Sequence, residues 1–208
     1  MSGNIPWYSE QFYHVYNRGH NRKRIFFQER NYQFFLERIS EYVIDYLEVL
    51  AFVLIPNHFH VIVKIKSKEE IQRYYQNLYP GRSDVGVNNV VSQAFSNMFN
   101  SYIKSINRQE NKTGTLFGGK CQRKLLKSEE YLSVAIMYTH YNPLKHHVAR
   151  GISEYRWSSY PIFLSDEPSG INRMLVFELF HGKDNFLTAH KNFVELSIEK
   201  KVQDFWIE

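Results

Sequence analysis

A single cysteine, Cys121, stands in the 208 residues, which excludes an internal disulfide and any zinc site built from several thiolates. No apolar run approaches the roughly 18 residues that a membrane-spanning helix needs. No charged-then-apolar leader opens the sequence, so a cytoplasmic protein without a membrane partner is the expectation. Glycine and proline are few, and no internal repeat, low-complexity tract or obvious linker divides the chain. Acidic side chains are the minority. Against 26 Lys and Arg there are 21 Asp and Glu, and the net charge of +5 is compatible with a nucleic-acid partner without establishing one. The length suits one well-buried core better than two full domains. Aromatic residues are abundant, at 16% of the chain. Most of these rings have to pack a core, because each covers so much apolar area. On a surface beside basic residues, a ring is also what an unpaired base stacks on.

The segment Gln11 to Tyr16 is rich in aromatic and β-branched residues and predicts a strand, followed by a polar, basic turn through Arg24. From Glu29 to about Tyr46, Phe35, Ile39, Tyr42, Val43 and Tyr46 recur at helical spacing. Leu47 to Ile55 is almost continuously apolar, as a strand covered on both faces should be. Pro56 and Asn57 break it, and His58 to Lys66 predicts a second strand, so an antiparallel hairpin is expected. Residues 67 to 87 are charged and then turn-rich, a loop with room for a short helix at its start. A long helix follows, capped by Asn88 or Asn89, with Val91, Phe95, Met98, Phe99, Tyr102 and Ile106 on one stripe. Thr115 to Leu126 reads as a strand interrupted at Gly118 and Gly119. Ser128 then caps another helix, which Pro143 should end near Asn142. One or two further helices are expected in 170 to 208. Strand, helix, strand, strand, helix, strand is the order of a ferredoxin-like α+β fold. The expectation is an antiparallel sheet with helices on one face, plus a tyrosine-bearing helix and a C-terminal helical extension.

The sharpest local feature is His58-Phe59-His60. Residues two apart on a strand share a face, so both imidazoles point one way while Phe59, Val61, Val63 and Ile65 form the opposite, buried face. Such a pair reads either as two ordinary sheet histidines or as two ligands that bite one divalent ion and leave positions open for substrate oxygens. The Ser128 helix carries a second feature: Tyr131, Ala135, Tyr138 and Asn142 share a face. They read either as an amphipathic packing stripe or as a phenol nucleophile, Tyr138, beside a third metal ligand, Asn142. Basic residues cluster at Arg18, Arg22, Lys23 and Arg24, near Tyr16 and Phe26, and at Lys120, Arg123, Lys124 and Lys127, near Phe117. Each run is either a solvated face or one wall of a single-strand groove.

Four stretches carry a resemblance: Tyr13 to Phe26 (YHVYNRGHNRKRIF), Ile55 to Val63 (IPNHFHVIV), Thr113 to Leu126 (TGTLFGGKCQRKLL), and Tyr138 to Tyr160, which holds YTHYNP and WSSY. In that order they resemble the insertion-sequence tyrosine transposases of the HUH single-strand endonuclease superfamily, especially the REP-associated tyrosine transposases. The likeness covers roughly residues 11 to 162. It implies a catalytic domain over 1–165 with 166–208 as its helical extension. It also implies that His58 and His60 hold Mg²⁺ or Mn²⁺, that Asn142 completes the site, and that Tyr138 attacks the scissile phosphate. The products would be a 5′-phosphotyrosine link and a free 3′-OH, which can later attack to rejoin the DNA. Single-stranded or hairpin DNA is the implied partner, contacted by Arg18, Arg22, Lys23, Arg24, Lys120, Arg123 and Lys124. Tyr102 and Tyr141 are rival phenols, but only Tyr138 stands four residues before Asn142. Relatives include domain-swapped dimers as well as monomers, so monomer or homodimer stays open, as does action of Tyr138 in cis or in trans.

Two other functions compete. A domesticated, non-cleaving protein could keep the scaffold only to bind hairpin DNA. A phosphoesterase using water would need a general base, and no carboxylate stands beside the histidine pair in the sequence.

Overall fold

The computed structural model describes residues 5–81 and 86–200, with side chains to residue 197. Its sheet holds β1 (Phe12–Arg18), β2 (Leu47–Ile55), β3 (His58–Ile65) and β4 (Gln122–Leu126). The spatial order is β2-β3-β1-β4, and every pairing is antiparallel. Around it lie α1 (Glu29–Tyr42), α2 (Lys68–Leu78), α3 (Val87–Gln109), α4 (Glu129–Lys145), α5 (Tyr160–Leu164), α6 (Arg173–Leu179) and α7 (Lys183–Lys200). This is the expected α+β fold.

Alternation along the strands divides the side chains between two cores. Tyr13, Val15, Phe59, Val61, Val63 and Ile65 meet Phe35 and Ile39 of α1 and the Val91 to Ile106 stripe of α3. Phe59 lies 4.9 Å from Phe35 and 5.7 Å from Phe99 between ring centroids, so α1 and α3 close over one face of the hairpin. The opposite face is also covered, by α4 and the C-terminal elements, through Leu132, Ala135, Ile136, Phe163, Val176, Phe180 and Phe186. A register shift between Val49 and Ala51 sends the consecutive Leu50 and Ala51 both into this second core. Burial on both sides is why β2 lacks polar alternation. Each fully buried large apolar side chain contributes roughly 1.5–3 kcal/mol relative to exposure.

Four local expectations need correction. The short helix allowed for at the start of 67–87 is present but runs to three turns, because Ser67 and Glu70 form a capping box and Ile71 anchors it in the core. The loop expected after it falls partly on residues 82–85, outside the described residues. Helix α3 is capped at Gly86 rather than at Asn88 or Asn89, and the Asn88 side chain accepts the Trp7 backbone N–H instead. Helix α1 stops at Tyr42: Val43 leaves the helical region at φ −123°, and the Tyr46 N–H turns back to the Val43 carbonyl at 2.9 Å. Strand β4 starts only at Gln122; before it, Leu116 and Gly118 bond His20 and Arg18 where β1 ends, around a single bridge from Phe117 to Gly19.

The fifth correction matters most for the site: α4 runs through Pro143 to Lys145. Proline removes one donor, but the next turn is completed by His146 N–H to Asn142 O at 3.0 Å. The chain leaves the helix only at His147, whose φ of 53° is left-handed.

A buried relay ties α7 to α4 and the sheet. The Phe186 carbonyl lies 2.8 Å from His190 Nδ1, so that nitrogen is the donor. His190 Nε2 therefore accepts from His140 Nδ1 at 2.8 Å, and His140 Nε2 accepts from Ser159 Oγ at 2.8 Å. Ser159 Oγ in turn accepts the Phe52 N–H at 2.9 Å. Every nitrogen is satisfied only while both rings are neutral. Burial holds His140 well below the ordinary imidazole range, followed by the effect of His190. It also pushes His190 down to about 4 against the opposing pull of the Phe186 carbonyl.

The unfolded chain takes up protons on these rings near pH 6.5 while the folded chain does not, so acid favours unfolding. Stability should fall between pH 6.5 and about 4, on the order of 1 kcal/mol per pH unit for each neutral ring. Urea denaturation across that range measures it. H190M should show a shallower fall by about one proton, and a flat wild-type profile would contradict the relay.

Candidate active site

The histidine pair and Tyr138 lie on the second face of the sheet. His58, His60 and Ile62 alternate away from the first core, and α4 crosses β2 and β3 on that side. His58 and His60 are both nearly fully buried, with ring centroids 5.2 Å apart. The Tyr138 ring stands edge-on to His60 at 6.1 Å, and Tyr138 and Asn142 are buried. The helix therefore brings Tyr138 to the imidazole pair from about eighty residues away in the chain, with Asn142 one turn further along it.

Hydrogen bonds set the state of each ring. Asn57 Nδ2 donates to the Arg22 carbonyl at 3.2 Å, which turns Asn57 Oδ1 toward His58 Nδ1 at 2.6 Å. An amide oxygen only accepts, so His58 Nδ1 carries a proton, and in the neutral ring the lone pair is on Nε2. His60 Nδ1 shares a proton with His14 Nε2 at 2.8 Å. His60 Nε2 is buried with no hydrogen-bond partner among the described residues, and so is Asn142 Oδ1, while Asn142 Nδ2 donates to the Tyr138 carbonyl. Burial holds His60 well below the usual imidazole range, aided by His14, His58, His146 and Lys145. Burial and then Lys124 push His14 down to about 3. His60 and His14 are therefore neutral near pH 7, the form that offers lone pairs.

Three more residues complete the cluster, and sequence reasoning assigned none of them. His14 sits on β1 two residues before Tyr16, and the alternation of that strand could have placed it on the imidazole face. His146 packs its ring 4.5 Å from His58. Lys145 Nζ donates to the Tyr138 phenol oxygen at 2.6 Å. The last two were illegible because they depend on α4 persisting beyond Pro143.

A cavity of about 370 Å³ opens from the imidazoles and is lined by Tyr16, Asn17, Arg18, Arg22, Lys120 and Gln122 together with His58 and His60. Gly19 forms its rim, and a Cβ there would sit 2.0 Å from the Lys23 carbonyl, so no other residue fits the turn. Arg18, Arg22 and Lys120 are thus gathered around the imidazole pair, whereas Lys23 and Arg24 are exposed outside the lining. Strand alternation separates the remaining two cations. Lys124 pairs in register with His14 on the imidazole face, while Arg123 pairs with Val15 and stacks on Trp7 at 4.3 Å on the other side. There Arg123 lines a second groove of about 810 Å³ with Trp7, Phe95 and Phe99, and the two hollows meet at Asn17, Gly119, Lys120 and Gln122.

Rival phenols are placed elsewhere. Tyr102 is fully buried in the first core, bonded to the Ile25 carbonyl at 2.8 Å, and burial drives its ionisation far upward. Tyr141 packs against Phe193 of α7 at 5.9 Å. Among the described residues no three His, Cys, Asp or Glu side chains gather where they could hold a metal ion. No helix among them is long and apolar enough to cross a membrane.

Neither a family model nor a curated protein matches the sequence. Among solved structures, the chain is similar to a REP-associated tyrosine transposase bound to a REP hairpin. The TM-score is 0.55 at 16% identity, over 81% of this chain and 89% of that one. At that identity the likeness is one of fold.

The His58 tautomer is directly measurable. Long-range ¹H–¹⁵N spectra of the metal-free protein should show His58 protonated on Nδ1. N57A should populate the other tautomer, and an unchanged His58 pattern would show that Asn57 does not set it.

Proposed function

We propose that the chain nicks and rejoins single-stranded DNA near hairpins, with Tyr138 as nucleophile and a 5′-phosphotyrosine intermediate. The observation that carries this reading is the packing of α4 over the imidazole face, which brings the Tyr138 ring to His60, with Asn142 one turn further along the same helix, while His58 and His60 line a basic cavity. The fold likeness to a hairpin-bound transposase agrees with it. Arg18, Arg22 and Lys120 would hold phosphates at the mouth, with Lys124 near His14 and with Lys23 and Arg24 reaching the flanking backbone. Arg123, in the adjoining groove, would meet a strand that continues past Lys120.

The donor set fits a divalent ion. His58 presents a lone pair on Nε2, and His60 Nε2 and Asn142 Oδ1 are buried polar atoms that no described residue satisfies. His58, His60 and Asn142 would hold Mg²⁺ or Mn²⁺, with the remaining positions left for oxygens from water or phosphate. Bound there, the ion would supply positive charge to a phosphate and make its phosphorus more electrophilic. The chain's own residues do the rest. Tyr138 Oη forms the bond to phosphorus as the P–O3′ bond breaks, and the phenol proton ends, by way of solvent, on the departing 3′ oxygen. The phosphodiester energy is kept in the tyrosyl ester, so rejoining needs no high-energy cofactor.

The activity test is a covalent adduct. Wild-type protein with hairpin-bearing single strands and Mn²⁺ should yield a protein–DNA band, and Y138F should yield none while melting at the wild-type temperature. An adduct with Y138F would overturn the nucleophile. Salt-sensitive binding without an adduct, across several hairpins and metals, would favour a non-cleaving hairpin-binding protein instead. Metal binding is tested separately by calorimetry with Mn²⁺. The expected stoichiometry is one ion per chain, with about ten- to hundredfold weaker binding in H14A, which removes the partner of His60. Equal affinity in H60A would refute the site.

A further inference from the structure

Helix α4 continues two residues past Pro143, and that continuation brings a cation to the phenol. Tyr138 and Lys145 are seven residues apart, two helical turns, so they share a face only while the helix persists between them. Lys145 Nζ donates to Tyr138 Oη at 2.6 Å, and its charge lies 5.0 Å from the ring centroid. Lys145 is half-buried beside a buried phenol, where water screens the pair less than at an open surface. An ammonium donor is the group that a phenol needs if its oxygen must carry negative charge in one step and leave with it in the next.

We infer that Lys145 is a further catalytic residue, holding Tyr138 Oη in place and stabilising the charge on it during attack and departure. The inference rests on the nicking reading above and adds a residue to it. In the forward step the Oη–P bond forms and the P–O3′ bond breaks, with a net transfer of the phenol proton to the 3′ oxygen. In the reverse step the 3′ oxygen attacks and Tyr138 Oη leaves, with Lys145 donating to it again. Lys145 keeps its own protons throughout, so no co-reactant is required. Asn142, on the same helix face, is engaged with the Tyr138 carbonyl and not with the phenol oxygen, so the two residues divide the work.

The test uses the full chain, Mn²⁺ and a hairpin-bearing single strand that wild type attacks. K145M keeps the aliphatic stem but loses the charge. It should slow adduct formation at saturating DNA about a hundredfold, and rejoining by a similar factor, with DNA affinity unchanged. K145R should restore most of the rate. The discriminating readout is a fluorinated tyrosine placed at position 138, whose oxygen carries negative charge more readily. It should recover K145M about tenfold while leaving the wild-type rate almost unchanged. A purely structural role for Lys145 predicts no such recovery. Wild-type rates in K145M, or loss in K145M that neither Arg nor fluorotyrosine recovers, would overturn the inference alone. Absence of any adduct with wild type would overturn it together with the nicking reading.

Discussion

The contact between α4 and the β2–β3 hairpin is the constraint on which the rest of the molecule depends. It seals the second face of the sheet with Leu132, Ala135 and Ile136, and in doing so it encloses imidazoles that a one-sided sheet would leave in water. Burying polar nitrogens without partners costs about 1–3 kcal/mol for each. The apolar contacts on either side of the cluster have to offset that cost. The price is visible at His60 Nε2 and Asn142 Oδ1, which the fold buries and leaves unsatisfied. Elsewhere on the same face the fold is strict about satisfaction, as the His140–His190–Ser159 relay shows. Two polar clusters of similar burial, one complete and one with open valences, distinguish scaffold from candidate site.

The C-terminal helices take part in this division. Through Phe186 and the His140–His190 contact, α7 clamps the outer side of α4. The Asn172 N–H bonds the Val49 carbonyl at 3.0 Å and anchors the approach to α6 on β2. Among the described residues these elements bring no side chain to the cavity lining. They fix the helix that carries Tyr138, and rigid placement is what the proposed role of that phenol would need.

Much of the fold was legible because it rests on short-range periodicity. Alternation in His58 to Ile65 separated the two imidazoles from Phe59, Val61, Val63 and Ile65, and the continuous apolar run of Leu47 to Ile55 marked a strand covered twice. The α3 stripe likewise follows from the 3.6-residue repeat. What failed were boundaries decided by single backbone groups: the Tyr46 N–H turned back to Val43, Leu116 O bonded to His20, and the tolerated loss of one donor at Pro143. The last of these hid Lys145 and His146, since a helix ended at Asn142 would not carry either toward the sheet.

From its own pattern the chain determined the element order, the two faces of each strand, and the pairing of His58 with His60, because all three depend on neighbours a few residues apart. The tertiary structure alone decided that α4 lies on the imidazole face and not the other, that His14 bonds His60, and that Arg123 parts company with Lys124. Those outcomes join segments up to some 120 residues apart. Which side of a sheet a helix covers is settled by the summed fit of both cores, and no local spacing encodes that sum.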